Sequence, residues 1–345
     1  MGSDRHAALC IALSLFVAAC APAGTAAALK AEAPLLGPAP SVALGSDTVT
    51  LLRSGVATFA RLQQLIDGAR VSVQVEVYEF NHPAMVAAVT AVHRRGVRVT
   101  VIDDPSESSS VATMTRLRAD GVDVVDYPVR RLMIDHVKLL LVDTSVAVIG
   151  GINWGSASPA NHDYDAEIRG PAVNNLEEVF ARDLVTCGRS VPVPPARADP
   201  AITVATTLPA LDIRPLALGL INGARTTLDL ELFVITDTGV VRALEAAAAR
   251  GVRVRVLLDP TQHSSDPSMH AIAGSGVAVR WYRSHGELLH AKAIVADSSS
   301  VLFGSANWSG GGFARNHELD IELVDALAIA RQMLAQMTLD WGASA

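Results

Sequence analysis

His136-Val-Lys138-Leu-Leu-Leu-Val-Asp143 and His290-Ala-Lys292-Ala-Ile-Val-Ala-Asp297 are one eight-residue pattern, H-x-K-x4-D, written twice in a single chain. Each copy runs on into a glycine turn that carries an asparagine, Gly150-Gly151-Ile152-Asn153 and Gly304-Ser305-Ala306-Asn307. The chain otherwise avoids lysine. Of its 28 basic residues only three are lysines, and Lys30 alone lies outside the two patterns. A compact ammonium kept two residues from an imidazole, in a chain that elsewhere prefers arginine, marks a site. On a strand, residues i and i+2 face the same way, so His136 projects with Lys138 and His290 with Lys292. The apolar residues after each lysine predict buried strands. The closing Asp143 and Asp297 have the opposite parity and are expected at the strand ends, in structural or lysine-pairing roles.

The repetition extends outward from the two motifs. Leu65-Ile-Asp-Gly-Ala-Arg70 matches Leu220-Ile-Asn-Gly-Ala-Arg225, and Arg95-Gly-Val-Arg-Val99 matches Arg250-Gly-Val-Arg-Val254. Asp104-Pro105 answers Asp259-Pro260, and Asn161-His162-Asp163 answers Asn316-His317-Glu318, at a steady offset of 154 to 155 residues. This is an internal duplication. Within each half, β-branched alternation predicts strands at 71–77 and 97–102, and at 227–233 and 252–258. Ala-rich helices are expected between them at 84–94 and 240–250, stopped by Gly96 and Gly251. Strand, helix and strand twice over predict two α/β domains packed with pseudo-two-fold symmetry. The expected boundaries are a leader at 1–19, a tether at 20–49, a first domain at 50–187, a Pro-rich linker at 188–200 and a second domain at 201–345.

The two H-x-K-x4-D motifs with their glycine-asparagine extensions resemble the phospholipase D superfamily, over about residues 50–340. The resemblance implies two tandem phospholipase D-like α/β domains, each a mixed sheet flanked by helices, whose motifs meet across the domain interface in one site without metal or cofactor. It implies phosphodiester cleavage or exchange through a covalent phosphohistidine, with His136 as nucleophile and His290 as acid/base. Lys138, Lys292, Asn153, Asn307 and Ser305 would bind the phosphoryl oxygens. The family places a supporting carboxylate about 28 residues after each histidine; Glu318 and Asp163 stand there. Asp163 is a departure by one methylene, and Asp165 could replace it. Gly151, in place of the family's serine, is a second departure. Glu76, Glu231, His162 and His317 are read as structural, Trp154 and Trp308 as core plugs, and His263, His270 and His285 as possible rim residues. No H-x-x-x-H pair occurs among the 10 histidines, which argues against zinc.

The formal charge is −7, and the leader removes one Asp and one Arg, so it stays there. With aromatics at 4%, this disfavours a broad nucleic-acid-binding face. The apolar run 7–19 is too short to span a bilayer and suits a signal peptide. Val17-Ala18-Ala19-Cys20 resembles a bacterial lipobox, with Cys20 as the lipidated residue and the cell envelope as the location; plain secretion is the alternative. Cys187 is then the one thiol of the mature domain, expected to be inert. The implied substrate is a phospholipid, hydrolysed or transferred to an alcohol, by a monomer holding both motifs and tethered to the membrane. The second reading is a surface or secreted nuclease of the same superfamily. Intact residues in both motifs argue against a non-catalytic scaffold.

Overall fold

The computed structural model describes residues 39–130, 133–283 and 286–345. The expected leader, Cys20, Lys30 and His285 lie outside them. In the first half, eight strands form one mixed sheet: β1 (Val42–Leu44), β2 (Asp47–Leu52), β3 (Ser72–Val77), β4 (Arg98–Asp103), β5 (Asp123–Asp126), β6 (Lys138–Val142), β7 (Val146–Gly150) and β9 (Asp165–Arg169). Their order across the sheet is β1-β2-β9-β7-β6-β3-β4-β5. The second half repeats it without the edge strand. With β10 (Ile202–Thr206), β11 (Thr227–Leu232), β12 (Arg253–Leu258), β13 (Ala278–Trp281), β15 (Lys292–Ala296), β16 (Ser300–Gly304) and β17 (Leu319–Leu323), the order is β10-β17-β16-β15-β11-β12-β13. The duplication seen in the residues is thus a duplication of topology.

The expected strands and helices stand within a residue or two of their predicted ends. Helix α1 (Gly55–Gly68) follows β2, and α2 (Pro83–Arg94) and α3 (Val111–Ala119) link the parallel strands β3, β4 and β5. Ser54 caps α1 through the Ala57 N–H. After α4 (Val173–Thr186) the chain runs through the proline seam to α5 (Ile213–Gly223), α6 (Thr238–Ala249) and α7 (Asp266–Ala273). Gly96 and Gly251 take φ of +89° and +91° and end α2 and α6, a conformation that costs other residues a Cβ clash. A short helix α8 (Gly310–Ala314) and the closing helix α9 (Leu327–Ala343) complete the half.

Two clusters pack each sheet's outer face against its crossover helices. A third joins the halves. It gathers Leu139, Leu141 and Ile149 from the first sheet, Ala293, Val295 and Phe303 from the second, and Leu176, Phe180, Ile329 and Met333 from α4 and α9. The two halves therefore share a core. At its edge, β8 (Asn161–His162) of the first half pairs in parallel with β14 (Leu288–Leu289) of the second. Asp135 makes the matching bridge to His317.

Candidate active site

Each motif histidine stands just ahead of its strand, which begins at the lysine: β6 opens at Lys138 and β15 at Lys292. The expectation of histidine and lysine side by side on one strand is corrected to this extent. The reason is a backbone contact with the other half. The His136 N–H donates to the His317 carbonyl at 2.8 Å, and the His290 N–H donates to the His162 carbonyl at 2.9 Å. The histidines are thereby held at the seam between the halves rather than in either sheet.

Their side chains are held crosswise too. His136 Nδ1 lies 2.8 Å from Glu318 Oε2, and His290 Nδ1 lies 3.0 Å from Asp163 Oδ2. The carboxylate that follows one motif thus serves the histidine of the other, which the spacing along each half did not foretell. Asp165 takes no part here; it accepts from the Ile152 N–H and the Thr58 hydroxyl. Lys138 Nζ donates to the His136 carbonyl at 2.5 Å. Lys292 Nζ lies 3.0 Å and 3.1 Å from the two ring nitrogens of His290 and also donates to its carbonyl. Tyr78 and Phe233 occupy equivalent places against the two imidazoles, with ring centroids 5.1 Å and 4.9 Å away.

All six polar groups are buried, His136 and His290 at 6% exposure each. Burial, then the charges of Lys138, Lys292 and His290, hold His136 well below the ordinary imidazole value. Burial lowers His290 as well, but the Asp163 carboxylate opposes that shift. Burial brings Lys138 down to about 7 and Lys292 to about 8, against the pull of the nearby carboxylates. Burial raises Glu318 to about 7, with Lys138 opposing. Asp163 is also pushed up by burial, but His290 and Lys292 outweigh this and keep it below its usual value. Both imidazoles are therefore held below the ordinary value; at His290 the Asp163 carboxylate works against that shift, so it is the one of the pair better placed to carry a proton. The arrangement offers a nucleophilic nitrogen, a proton donor and two ammonium groups around one point.

The family described as "Cardiolipin synthase, PLD-like domain" matches this chain twice, over residues 62–184 and 218–341. The chain belongs to the phospholipase D superfamily. It is 29% identical over 333 residues to a cardiolipin synthase A of Pseudomonas putida, covering 87% of this chain and 69% of the relative. A cardiolipin synthase A of Pseudomonas aeruginosa is 26% identical over 335 residues, covering 87% and 68%. The solved phosphatidylserine synthase of Haemophilus influenzae shares the fold at a TM-score of 0.67 and 12% identity, over 91% of this chain and 90% of that one. The protein is a phospholipase D-like enzyme.

Other motif residues of this phospholipase D-like chain fall in distinct places. The side-chain amides of Asn153 and Asn307, half-buried after the glycine turns, make no hydrogen bond among the described residues, and their oxygens are enclosed. Ser305, expected on phosphate, instead donates to Glu318 Oε2 at 2.6 Å and accepts from the Leu319 N–H. Its hydroxyl is spent on placing the carboxylate. Asp143 accepts from the N–H groups of Arg70, Val71 and Ser72, and Asp297 from those of Arg225, Thr226 and Thr227. Both stand away from the lysines and tie the start of the central strand. Trp154 and Trp308 are buried as core plugs. His263 and His270 sit around Asp266 at the start of α7 and do not meet His136 or His290. Burial pushes the half-buried Cys187 thiol up to about 12, which keeps it protonated.

Two further clusters flank the site: His317 with Glu76 and Asp183, and His162 with Glu231 and Asp340. Each offers one nitrogen and two carboxylate oxygens, a donor set that suits a divalent cation. The nearest pairs, His317 Nε2 to Asp183 at 2.9 Å and His162 Nε2 to Glu231 at 3.0 Å, have N–H···O geometry. Oxygen and nitrogen sharing a tetrahedral ion at about 2.1 Å would stand about 3.4 Å apart. The two pairs are thus closer than tetrahedral zinc would hold them, and each is at hydrogen-bond distance.

Proposed function

We propose that this enzyme transfers the phosphatidyl group of a phospholipid, to water or to an alcohol, through a phosphohistidine on His136, without a metal. The observation that carries this is the crosswise pair of buried imidazoles, each on a carboxylate of the opposite half and each beside a lysine. Ionised Glu318 accepts the Nδ1 proton of His136 and leaves Nε2 with its lone pair for phosphorus. As the P–N bond forms, the P–O bond to the head group breaks, and imidazolium His290 gives its proton to the departing oxygen. Neutral His290 then takes the proton of the incoming water or alcohol. That oxygen attacks phosphorus and releases His136. Lys138 and Lys292, with the untied amides of Asn153 and Asn307, offset the charge on the phosphoryl oxygens.

A phospholipid substrate is supported by the cardiolipin synthase relatives. Placement in the envelope is supported by the lipobox-like sequence ending at Cys20; among the described residues no helix is long and apolar enough to cross a membrane. The test is incubation of the protein in EDTA with phosphatidylglycerol vesicles and a primary alcohol. Phosphatidyl-alcohol and free glycerol are expected, with both lost in His136→Ala. Cleavage of an aryl phosphodiester without either product would move the substrate to another diester class, and an active His136→Ala protein would remove the nucleophile assignment.

A further inference from the structure

His162 and His317 occupy equivalent positions, directly before Asp163 and Glu318, and neither takes part in the chemistry above. Both are buried, at 5% and 0% exposure. On an extended chain consecutive side chains point to opposite faces, so the histidine turns away from the reaction while the next residue turns toward it. His317 reaches into the first half. Its Nε2 is 2.9 Å from Asp183 on α4 and 3.7 Å from Glu76 on β3, and its ring stacks on Tyr127 at 5.0 Å. Its backbone clasps the segment that presents His136, donating to the Ile134 carbonyl and accepting from the His136 N–H, both at 2.8 Å.

The other half mirrors this. His162 Nε2 is 3.0 Å from Glu231 on β11 and 3.4 Å from Asp340 on α9, with Tyr282 stacked against its ring at 5.9 Å. The Tyr164 hydroxyl donates to the same Glu231 oxygen at 2.8 Å, and the His162 carbonyl accepts from the His290 N–H. Each histidine is therefore fixed at its side chain by two carboxylates of the opposite half and at its backbone by the opposite catalytic histidine. Burial lowers these imidazoles, but Asp340 and Glu231 bring His162 up to about 9, and Asp183 with Asp135 raises His317. The two clamping imidazoles are thus raised above their usual value, while the two reacting ones are held below theirs.

We infer that His162 and His317 are positioning residues: through their neighbours Asp163 and Glu318 they set the orientation of His290 and His136 respectively. The clamp ties each unit to the opposite half; in the second unit the Thr207 hydroxyl also accepts from the Glu318 N–H at 2.9 Å. Groups that orient metal ligands are worth about tenfold to a hundredfold when removed, and the lower end of that scale is expected for this clamp. The inference rests on the proposed phosphohistidine reaction, and its two arms are separable by leaving group. Nitrophenolate departs without a proton, whereas an alkoxide needs one from His290.

The experiment compares His162→Gln and His317→Gln in the full chain, using first-turnover release from an alkyl phosphodiester and from a 4-nitrophenyl phosphodiester. His162→Gln is expected to slow alkoxide release about tenfold or more and nitrophenolate release less than about twofold. His317→Gln is expected to slow both by a similar factor, since attack by His136 is common to both, with KM within about twofold. The two patterns exchanged between the variants would support positioning and reverse the assigned roles of His136 and His290. Unaltered first-turnover rates in protein that merely melts earlier would overturn the inference. Should a glutamine variant fail to fold, Asp340→Asn and Asp183→Asn keep the imidazole and weaken its grip, and the same selective losses are expected in smaller measure.

Discussion

Gly151 and Asp163 depart from the superfamily pattern together, and the structure shows why they belong together. A β-carbon at position 151 would stand 2.4 Å from Asp163 Oδ1, well inside contact distance. In the other half the same place holds Ser305, whose hydroxyl donates to the longer Glu318. One half thus pairs serine with glutamate and the other glycine with aspartate; the shorter carboxylate occupies the room the missing side chain leaves. Ser305, expected from the resemblance to bind phosphate, itself serves the carboxylate. Gly151→Ser is expected to lower kcat about tenfold or more by displacing Asp163 from His290, and Asp163→Glu to do the same by overfilling the space. The double variant should recover most of the loss, a coupling of about 1–3 kcal/mol. The kcat values of the four proteins in a double-mutant cycle decide it; simple additivity would contradict the pairing.

At the scale of the strand, the aspartates that close the two motifs turn out to be caps. Asp143 and Asp297 sit at φ of 52° and 50°, in the left-handed region that aspartate tolerates better than most residues, where the carboxylate can face back along the neighbouring strand. Asp297 binds the first N–H groups of β11 and the Thr226 hydroxyl, and these bonds bring it down to about 2 although burial works against them. The folded value lies below the unfolded carboxylate value near 3.9. Its stabilisation is therefore complete above that unfolded value and disappears as pH falls through about 2. Asp297→Asn is expected to cost about 1–2 kcal/mol at pH 6, shrinking toward zero near pH 2. Urea unfolding of both proteins at pH 6, 4 and 2 checks this, and a gap independent of pH would exclude the cap. Residue parity alone placed these aspartates at strand ends. It left their partner open, because the N–H groups they bind lie 70 or more residues away.

For the molecule as a whole, the shared core decides how it behaves. Leu141 and Val295 lie in one buried cluster with Phe180 of α4 and Met333 of α9, so opening either half would expose the other's sheet. We propose that the two repeats unfold as one unit in spite of the proline seam between them. Calorimetry is expected to give a single transition for residues 39 onward, with calorimetric and van't Hoff enthalpies equal. Two resolved transitions would mean that the repeats are separately stable. The same sharing leaves each half with an incomplete site, since His136 has its carboxylate in the second half and His290 in the first.

The residues by themselves determined the repeat, its strand and helix order, and the four side chains of the paired motif, because those signals are local: periodicity, glycine stops and a rare lysine recurring at one spacing. Only the tertiary structure decided which carboxylate meets which histidine, that Ser305 serves Glu318, and that His162 and His317 lock the seam. Those pairings join residues 127 and 182 positions apart in the two histidine–carboxylate dyads. In a duplicated chain, every residue has an equivalent that spacing alone ranks as an equal partner. The choice between them is made by how the two sheets face each other across their common core.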